Sequence, residues 1–300
     1  MNKYKAALGP ILGLLSASIW ALAFSNVKIA LKTFGPSEIA ALRFFVSGLL
    51  GLGVLIFTKQ KTWTSKDIFQ AFFAAFIGMA IYNIFLNLGQ TTIAPSAASF
   101  IVSTQPIFTI IAARFLFKEK IGLNAILGVG LCLTGVWVIL GHPDFGAFFH
   151  GGAFYLIICA ICSGLYFILL MPLIQKHGPL NAAASTVLAT GILLSPWLPN
   201  ALVQAQIELK PTLAVMFLAI FPGFIAHITW MSAMKIMGST RAANFTFLIA
   251  PMATVAAVII NDDKIAPAFY LGSVLVIFGV FVTTNQKIKT WFLEKTKFAL

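Results

Sequence analysis

Two stretches of equal length, FIGMAIYNIFLNLGQTTIAPSAASFIVSTQP at residues 76–106 and FPGFIAHITWMSAMKIMGSTRAANFTFLIAP at residues 221–251, align without a gap at an offset of 145 residues. Phe76, Gly78, Ala97, Ala98, Phe100 and Pro106 recur as Phe221, Gly223, Ala242, Ala243, Phe245 and Pro251. The polar and aromatic positions correspond as well: Tyr82 falls on His227, Phe85 on Trp230, Gln90 on Lys235 and Ser99 on Asn244. Each copy sets polar and aromatic groups at the same depths of an apolar span.

The chain around these stretches is 60% hydrophobic and 9% charged over 300 residues, with a mean hydropathy of +0.96. Soluble domains carry about 25% charge, so this composition belongs in lipid. The apolar runs have the length of helices that cross a bilayer, and strand-like alternation is missing from them. In hydrocarbon every backbone group must be satisfied within its own segment, so helices follow. The +12 charge is spread over short connections and tails, which points to membrane topology and not to a nucleic-acid partner.

Ten spans follow in order: Ala6–Ala30, Ser37–Phe57, Ile68–Gly89, Ile93–Phe117, one reaching Leu140, Ala153–Ile174, Leu180–Leu198, Thr212–Met237, Thr240–Asn261 and Ala268–Asn285. The outer spans echo one another too. Gly35-Pro36 matches Gly178-Pro179, Leu127-Gly128 matches Leu271-Gly272, and Gly135-Val136 matches Gly279-Val280. The expected fold is an all-α integral membrane protein of ten transmembrane helices built as two five-helix repeats, residues 1–142 and 150–286, with a basic tail at 287–300. Because five is odd, the second repeat enters the membrane from the opposite face. Counting Lys and Arg with both termini inside places fourteen on inner segments and three on outer connections, which predicts cytoplasmic termini. Inverted repeats characterise secondary transporters, whose site lies near the midplane.

In these features the chain resembles the ten-helix EamA-type members of the drug/metabolite transporter superfamily. The resemblance rests on Ser18-Ile19-Trp20-Ala21, Ala41-Leu42-Arg43-Phe44, Pro106 followed by Phe115-Leu116-Phe117-Lys118-Glu119, and Gly128 with Gly135. It departs at Asn261-Asp262-Asp263. What the resemblance implies is a carrier in a bacterial inner membrane with a cavity lined by spans one, three, four, six, eight and nine. Proteins of this kind move amino acids, often aromatic or apolar ones, and other small metabolites, commonly outward.

The expected substrate-binding residues are Trp20, Tyr82, Asn83, Phe85, Ser99, Gln105, Tyr166, His227, Trp230 and Asn244. An ionisable side chain in mid-span is costly and usually faces the interior or a wet cavity. His227 thus has two roles open to it: contact with substrate or proton, and a hydrogen bond between helices. Its ordinary pKa lies near 6.5, where a proton can be exchanged. The aromatic residues suit an apolar group or the ring-face binding of a cation, though plain core packing is the alternative for each. Asn83, Asn87 and Gln90 form one polar stripe. Gln105 and Asn244 are the amide candidates. Arg43 has an anion-binding role open to it beside snorkelling or a bond to a facing helix end. Gly128, Gly135, Gly272 and Gly279 suit tight helix contact, within the chain or in a dimer, so a monomer and a homodimer both stay open. Cys159-x-x-Cys162 reads as small buried packing.

Every acidic residue, Glu38, Asp67, Glu119, Asp144, Glu208, Asp262, Asp263 and Glu294, falls at a span end, in a loop or in the tail. That disfavours a cation exporter driven by an embedded Glu and an aspartyl protease. No cofactor, no metal constellation and no nucleophile triad is expected; His227 with Ser232 is the only support for a membrane enzyme, and the repeat argues against a channel or scaffold. The function expected is that of a secondary transporter of a small molecule, most readily an amino acid, by alternating access. The alternative is facilitated diffusion of another organic solute or a drug-like cation. Expected partners are the substrate and membrane lipid.

Overall fold

The computed structural model describes residues 3–58, 62–105, 107–108, 123–139, 151–237, 242, 244–262 and 264–284. Pro106, Arg114, the Lys118–Lys120 knot, most of the central connection, Arg241, the basic tail and the side chain of Asn244 lie outside it. The described chain is helical, with no strand among its residues. Helix α1 is Lys3–Ala30, α2 Pro36–Phe57 and α3 Ser65–Gly89. Helix α4 is Pro95–Val102 and α5 Leu123–Ile139. Gly178, at φ 84 and ψ 163, splits the stretch Gly152–Leu193 into α6 (152–177) and α7 (179–193). A short α8, Leu198–Gln204, occupies part of what reads as a loop. Helix α9 covers 209–237, α10 is Ile249–Asn261 and α11 Pro267–Thr284.

Five of the described segments are long and apolar enough to cross a membrane: Leu8–Ala30, Pro36–Phe57, Ser65–Gly89, Gly152–Leu193 and Leu209–Ile236. The 42-residue one is the α6–α7 pair. In span four α4 covers Pro95–Val102, with residues 105, 107 and 108 again helical, and span nine opens as a 3-10 turn, Asn244–Leu248, before α10 begins.

The helix ends are set by local chemistry. Pro36 and Pro95 stand in the first turns of α2 and α4, where a missing N–H costs nothing and φ is already helical. Thr64 and Asp67 form a capping box on α3, each side chain accepting the other's backbone N–H. Gly178 takes a backbone conformation that a side chain would oppose, which lets α7 fold back beside α6.

Small residues then allow the helices to meet backbone to backbone, the usual means of packing where lipid removes the hydrophobic drive. A Cβ on Gly191 of α7 would lie 2.6 Å from the carbonyl of Phe44, and one on Gly51 of α2 would lie 2.6 Å from that of Ala184. As numbers rise along α2 they fall along α7, so the two run antiparallel. Helices α5 and α11 do likewise. A Cβ on Gly135 would lie 2.6 Å from Gly272 O, and a Cβ on Gly279 would lie 2.7 Å from Gly128 O. Each contact becomes the other when 128 is exchanged with 272 and 135 with 279. These four glycines are therefore consumed inside the chain. Around this frame α1 packs on α9 and α10, while α6 packs on α3 and α4.

At one end of the bundle the connection before α3 meets the turn between α6 and α7. Thr58 Oγ1 donates to Asn181 Oδ1 at 2.8 Å. Lys176 Nζ lies 2.5 Å from Asp67 Oδ2, and His177 Nε2 lies 3.3 Å from the same oxygen. The imidazole of His177 stacks on Trp63 with ring centres 4.0 Å apart.

Candidate binding cavity

The alignment that pairs Phe76 with Phe221 also marks a shared distortion. Helix α3 widens into a π-turn at Phe76–Ile81, and α9 does so at Phe221–Ile225. Such turns leave carbonyls without their helical partners, and in α9 Pro222 removes a donor as well. Neighbouring side chains take up those oxygens. Ser47 Oγ of α2 lies 2.7 Å from Ala219 O and 2.9 Å from Arg43 O, with one proton to give. Trp20 Nε1 of α1 donates to Pro222 O at 3.1 Å, and His227 Nδ1 lies 2.9 Å from the same oxygen. A carbonyl can only accept, so Nδ1 carries the proton and Nε2 of the neutral ring is left as an acceptor. Both π-turn glycines are close-fitted. A Cβ on Gly78 would enter the ring of Tyr166, and one on Gly223 would strike Ser47 Oγ.

Between the two π-turns lies a cavity lined by both halves of the chain. Seven of the ten expected residues line it: Trp20, Tyr82, Asn83, Ser99, Gln105, Tyr166 and His227. Phe85 and Trp230 do not. Phe85 stacks on Tyr155 of α6, with centres 5.6 Å apart. Trp230 is buried in the core, its ring 5.2 Å from that of Trp20. Asn244 belongs to the 3-10 turn that carries Thr246, which does line the cavity. The polar stripe of α3 divides: Asn83 reaches the cavity, Asn87 donates to Pro36 O at 2.8 Å, and Gln90 is buried at the far end.

The remaining walls come from Ala23 and Phe24 of α1, Leu86 of α3, Val102 and Ser103 of and after α4, Ser163 of α6, Ile249 of α10, and Arg43 of α2. Arg43 corrects the snorkelling alternative. Its side chain is buried, 4% exposed, and Nη1 donates to Asn83 Oδ1 at 2.8 Å. Ser163 Oγ donates to Gln105 Oε1, tying α6 to the chain after α4. The edge of Trp20 meets the ring of His227 at 5.5 Å between centres, and Tyr166 stands 6.5 Å from it on another side. The hydroxyl of Tyr166 lies 3.4 Å from Met79 Sδ and from Thr186 Oγ1. Cys159 Sγ donates to Tyr82 O at 3.2 Å, which gives that thiol a packing role beside the cavity. Chemically the walls offer hydroxyls, amides, one imidazole, one guanidinium and aromatic faces, with an apolar side formed by Phe24, Leu86, Val102 and Ile249.

Comparison with known proteins finds the EamA-like transporter family model matching the chain twice, over residues 7–141 and 150–285. A protein of Archaeoglobus fulgidus named as an uncharacterized transporter is 25% identical over 273 residues, covering 91% of this chain and 97% of its own. A "Probable terminal-alkyne amino-acid exporter" of Streptantibioticus cattleyicolor is 23% identical, with 91% and 92% covered. A "Probable amino-acid metabolite efflux pump" of Escherichia coli is 22% identical, with 91% and 93% covered. A solved crystal structure superposes with a TM-score of 0.64 at 20% identity, covering 92% of this chain and 98% of that one, which shows likeness of fold.

Proposed function

The chain belongs to the EamA-like transporter family, and on that premise we propose that it carries amino acids, aromatic or apolar ones foremost, through the cavity between the two π-turns by alternating access. The observation that carries this reading is the convergence of polar and aromatic groups from both halves of a membrane-embedded chain on one cavity. The walls match an amino acid's two ends: Phe24, Leu86, Val102 and Ile249 for an apolar side chain, and hydroxyl, amide and aromatic groups for the charged end. The names of the Streptantibioticus and Escherichia relatives agree with the substrate class and with outward movement.

Residues 1–142 and 150–286 are read as two five-helix repeats of opposite orientation. Support comes from the double family match and from the antiparallel, exchangeable contacts of α5 with α11. Two copies of one pattern entering from opposite faces have inward- and outward-open arrangements of similar energy, which alternating access needs. The distribution of Lys and Arg supports a reading with both termini on the cytoplasmic side, in an inner membrane as the resemblance implies. In this reading the substrate crosses unaltered, so the activity is carriage and not enzymatic conversion. The guanidinium in the wall disfavours the alternative of a drug-like cation.

Counterflow in proteoliposomes tests the reading. Liposomes loaded with unlabelled leucine or phenylalanine are expected to accumulate the labelled amino acid transiently, because a carrier exchanges faster than it moves net solute. Linear leakage without trans-stimulation would mean a pore, and no amino-acid movement at all would remove the substrate class.

A further inference from the structure

Arg43 is a buried cation in a cavity that holds no carboxylate among its described walls. A lone charge away from water is costly unless something neutralises it. Its bonded partner is neutral: Nη1 donates to Asn83 Oδ1, and Asn83 is held with that oxygen toward Arg43 because its own Nδ2 donates to Met79 O at 2.7 Å. Nε is buried without an acceptor. It faces the π-turn of α9, where a Cβ on Gly223 would lie 3.6 Å away. The acids of the adjoining helices are committed elsewhere. Glu38 sits in the first turn of α2 and Asp67 is bound to Lys176 and Thr64 at the end of α3. The other titratable groups of the lining are Tyr82, Tyr166 and His227, none of them an anion at neutral pH.

We propose that Arg43 is the anchor for the carboxylate of the transported molecule, so that this protein selects carboxylate-bearing solutes and rejects the corresponding amines. The proposal rests on the cavity being the transport site. A guanidinium that lines the cavity, positioned by Asn83 and short of acceptors, is a charge-assisted donor for a carboxylate. The bound anion then supplies the charge that the protein does not, and an amine brought to the same place meets a fixed positive charge with nothing to offset it. The amide of Asn83 is a positioning residue, acting through the guanidinium.

The test is binding by thermal stabilisation of the purified full chain in detergent, using matched sets that differ only at the charged end. One set is phenylalanine, hydrocinnamate and phenethylamine; the other is leucine, isocaproate and isoamylamine. The acids and amino acids are expected to raise the melting temperature of the wild type and the amines to leave it unchanged. Arg43→Gln is expected to weaken that binding at least about tenfold, the loss of one charge-assisted contact, and Arg43→Lys to recover part of it. Equal stabilisation by acid and amine in the wild type would overturn the proposal, and that comparison needs no variant to fold. Unchanged affinity in well-folded Arg43→Gln would overturn it too. The amino-acid reading is separable: binding of hydrocinnamate and isocaproate without either amino acid sinks that reading and keeps the anchor, while transport of amino acids matched by their amines does the reverse.

Discussion

Gly135 packs against the carbonyl of Gly272, so closely that a Cβ at residue 135 would stand 2.6 Å from that oxygen and 2.7 Å from the side chain of Val276. Backbone on a facing helix cannot step aside as a flexible side chain can, so Gly135→Ala is expected to destabilise by about 1–3 kcal/mol, as overpacking does. Gly130, on the same helix, has nothing within 4 Å of its would-be Cβ. Gly130→Ala should instead be neutral or gain up to about 1 kcal/mol from helix propensity. Melting temperatures of the two variants in the same detergent compare them directly, and equal shifts would contradict the packing.

Pro222 holds open the π-turn of α9, whose carbonyl accepts from Trp20 and His227. Alanine there restores an N–H and removes a residue that costs about 3 kcal/mol inside a helix. Pro222→Ala is expected to raise thermal stability and lower transport, because a regular helix withdraws the oxygen that positions both side chains. A variant that is more stable and equally fast would show that the distortion has no part in carriage.

His227 is held through Nδ1, which leaves Nε2 available to bind a proton or substrate. Asparagine can place its amide N–H where Nδ1 stands, keeping the bond to Pro222 O while removing the titration. If transport uses this proton, the initial rate of the parent depends on pH and that of His227→Asn does not. Identical profiles in the two proteins would leave His227 a structural role.

The connection before α3 and the turn after α6 touch through Thr58 with Asn181 and Asp67 with Lys176. Single cysteines at the exposed positions Thr62 and Gln175 should therefore react with an impermeant thiol reagent from the same side of the membrane, the cytoplasmic one by the positive-inside pattern. The native Cys132, Cys159 and Cys162 are buried and contribute little background. Labelling from opposite sides would be incompatible with the fold.

Composition and the length of the apolar runs made the helical membrane class legible, and the internal alignment pointed to a central cavity through residues that recur at fixed depth: Tyr82 with His227, Gly78 with Gly223. Depth is all that such a pairing reports. Phe85 and Trp230 sit at matching depths too, yet Phe85 turns toward Tyr155 and Trp230 into the core, since the side of a helix that meets a neighbour is decided by packing. The π-turns were half visible. Pro222 marks the second, but Ile77 stands at the matching place in the first, where the widening has no residue to signal it. Arg43 was hardest to place because a long cationic chain near a span end usually reaches for water. Only the folded α2 shows its guanidinium turned inward onto Asn83.

One peptide oxygen, that of Pro222, receives a proton from the first helix of the chain and another from the ninth. Trp20 and His227 both donate to this one acceptor, so each bond weakens the other and their energies are not independent. Removing one should tighten the grip of the other, and the double replacement should cost more than the two single ones together. In the proposed transport site, a displacement of the indole would thereby change the bond made by the imidazole.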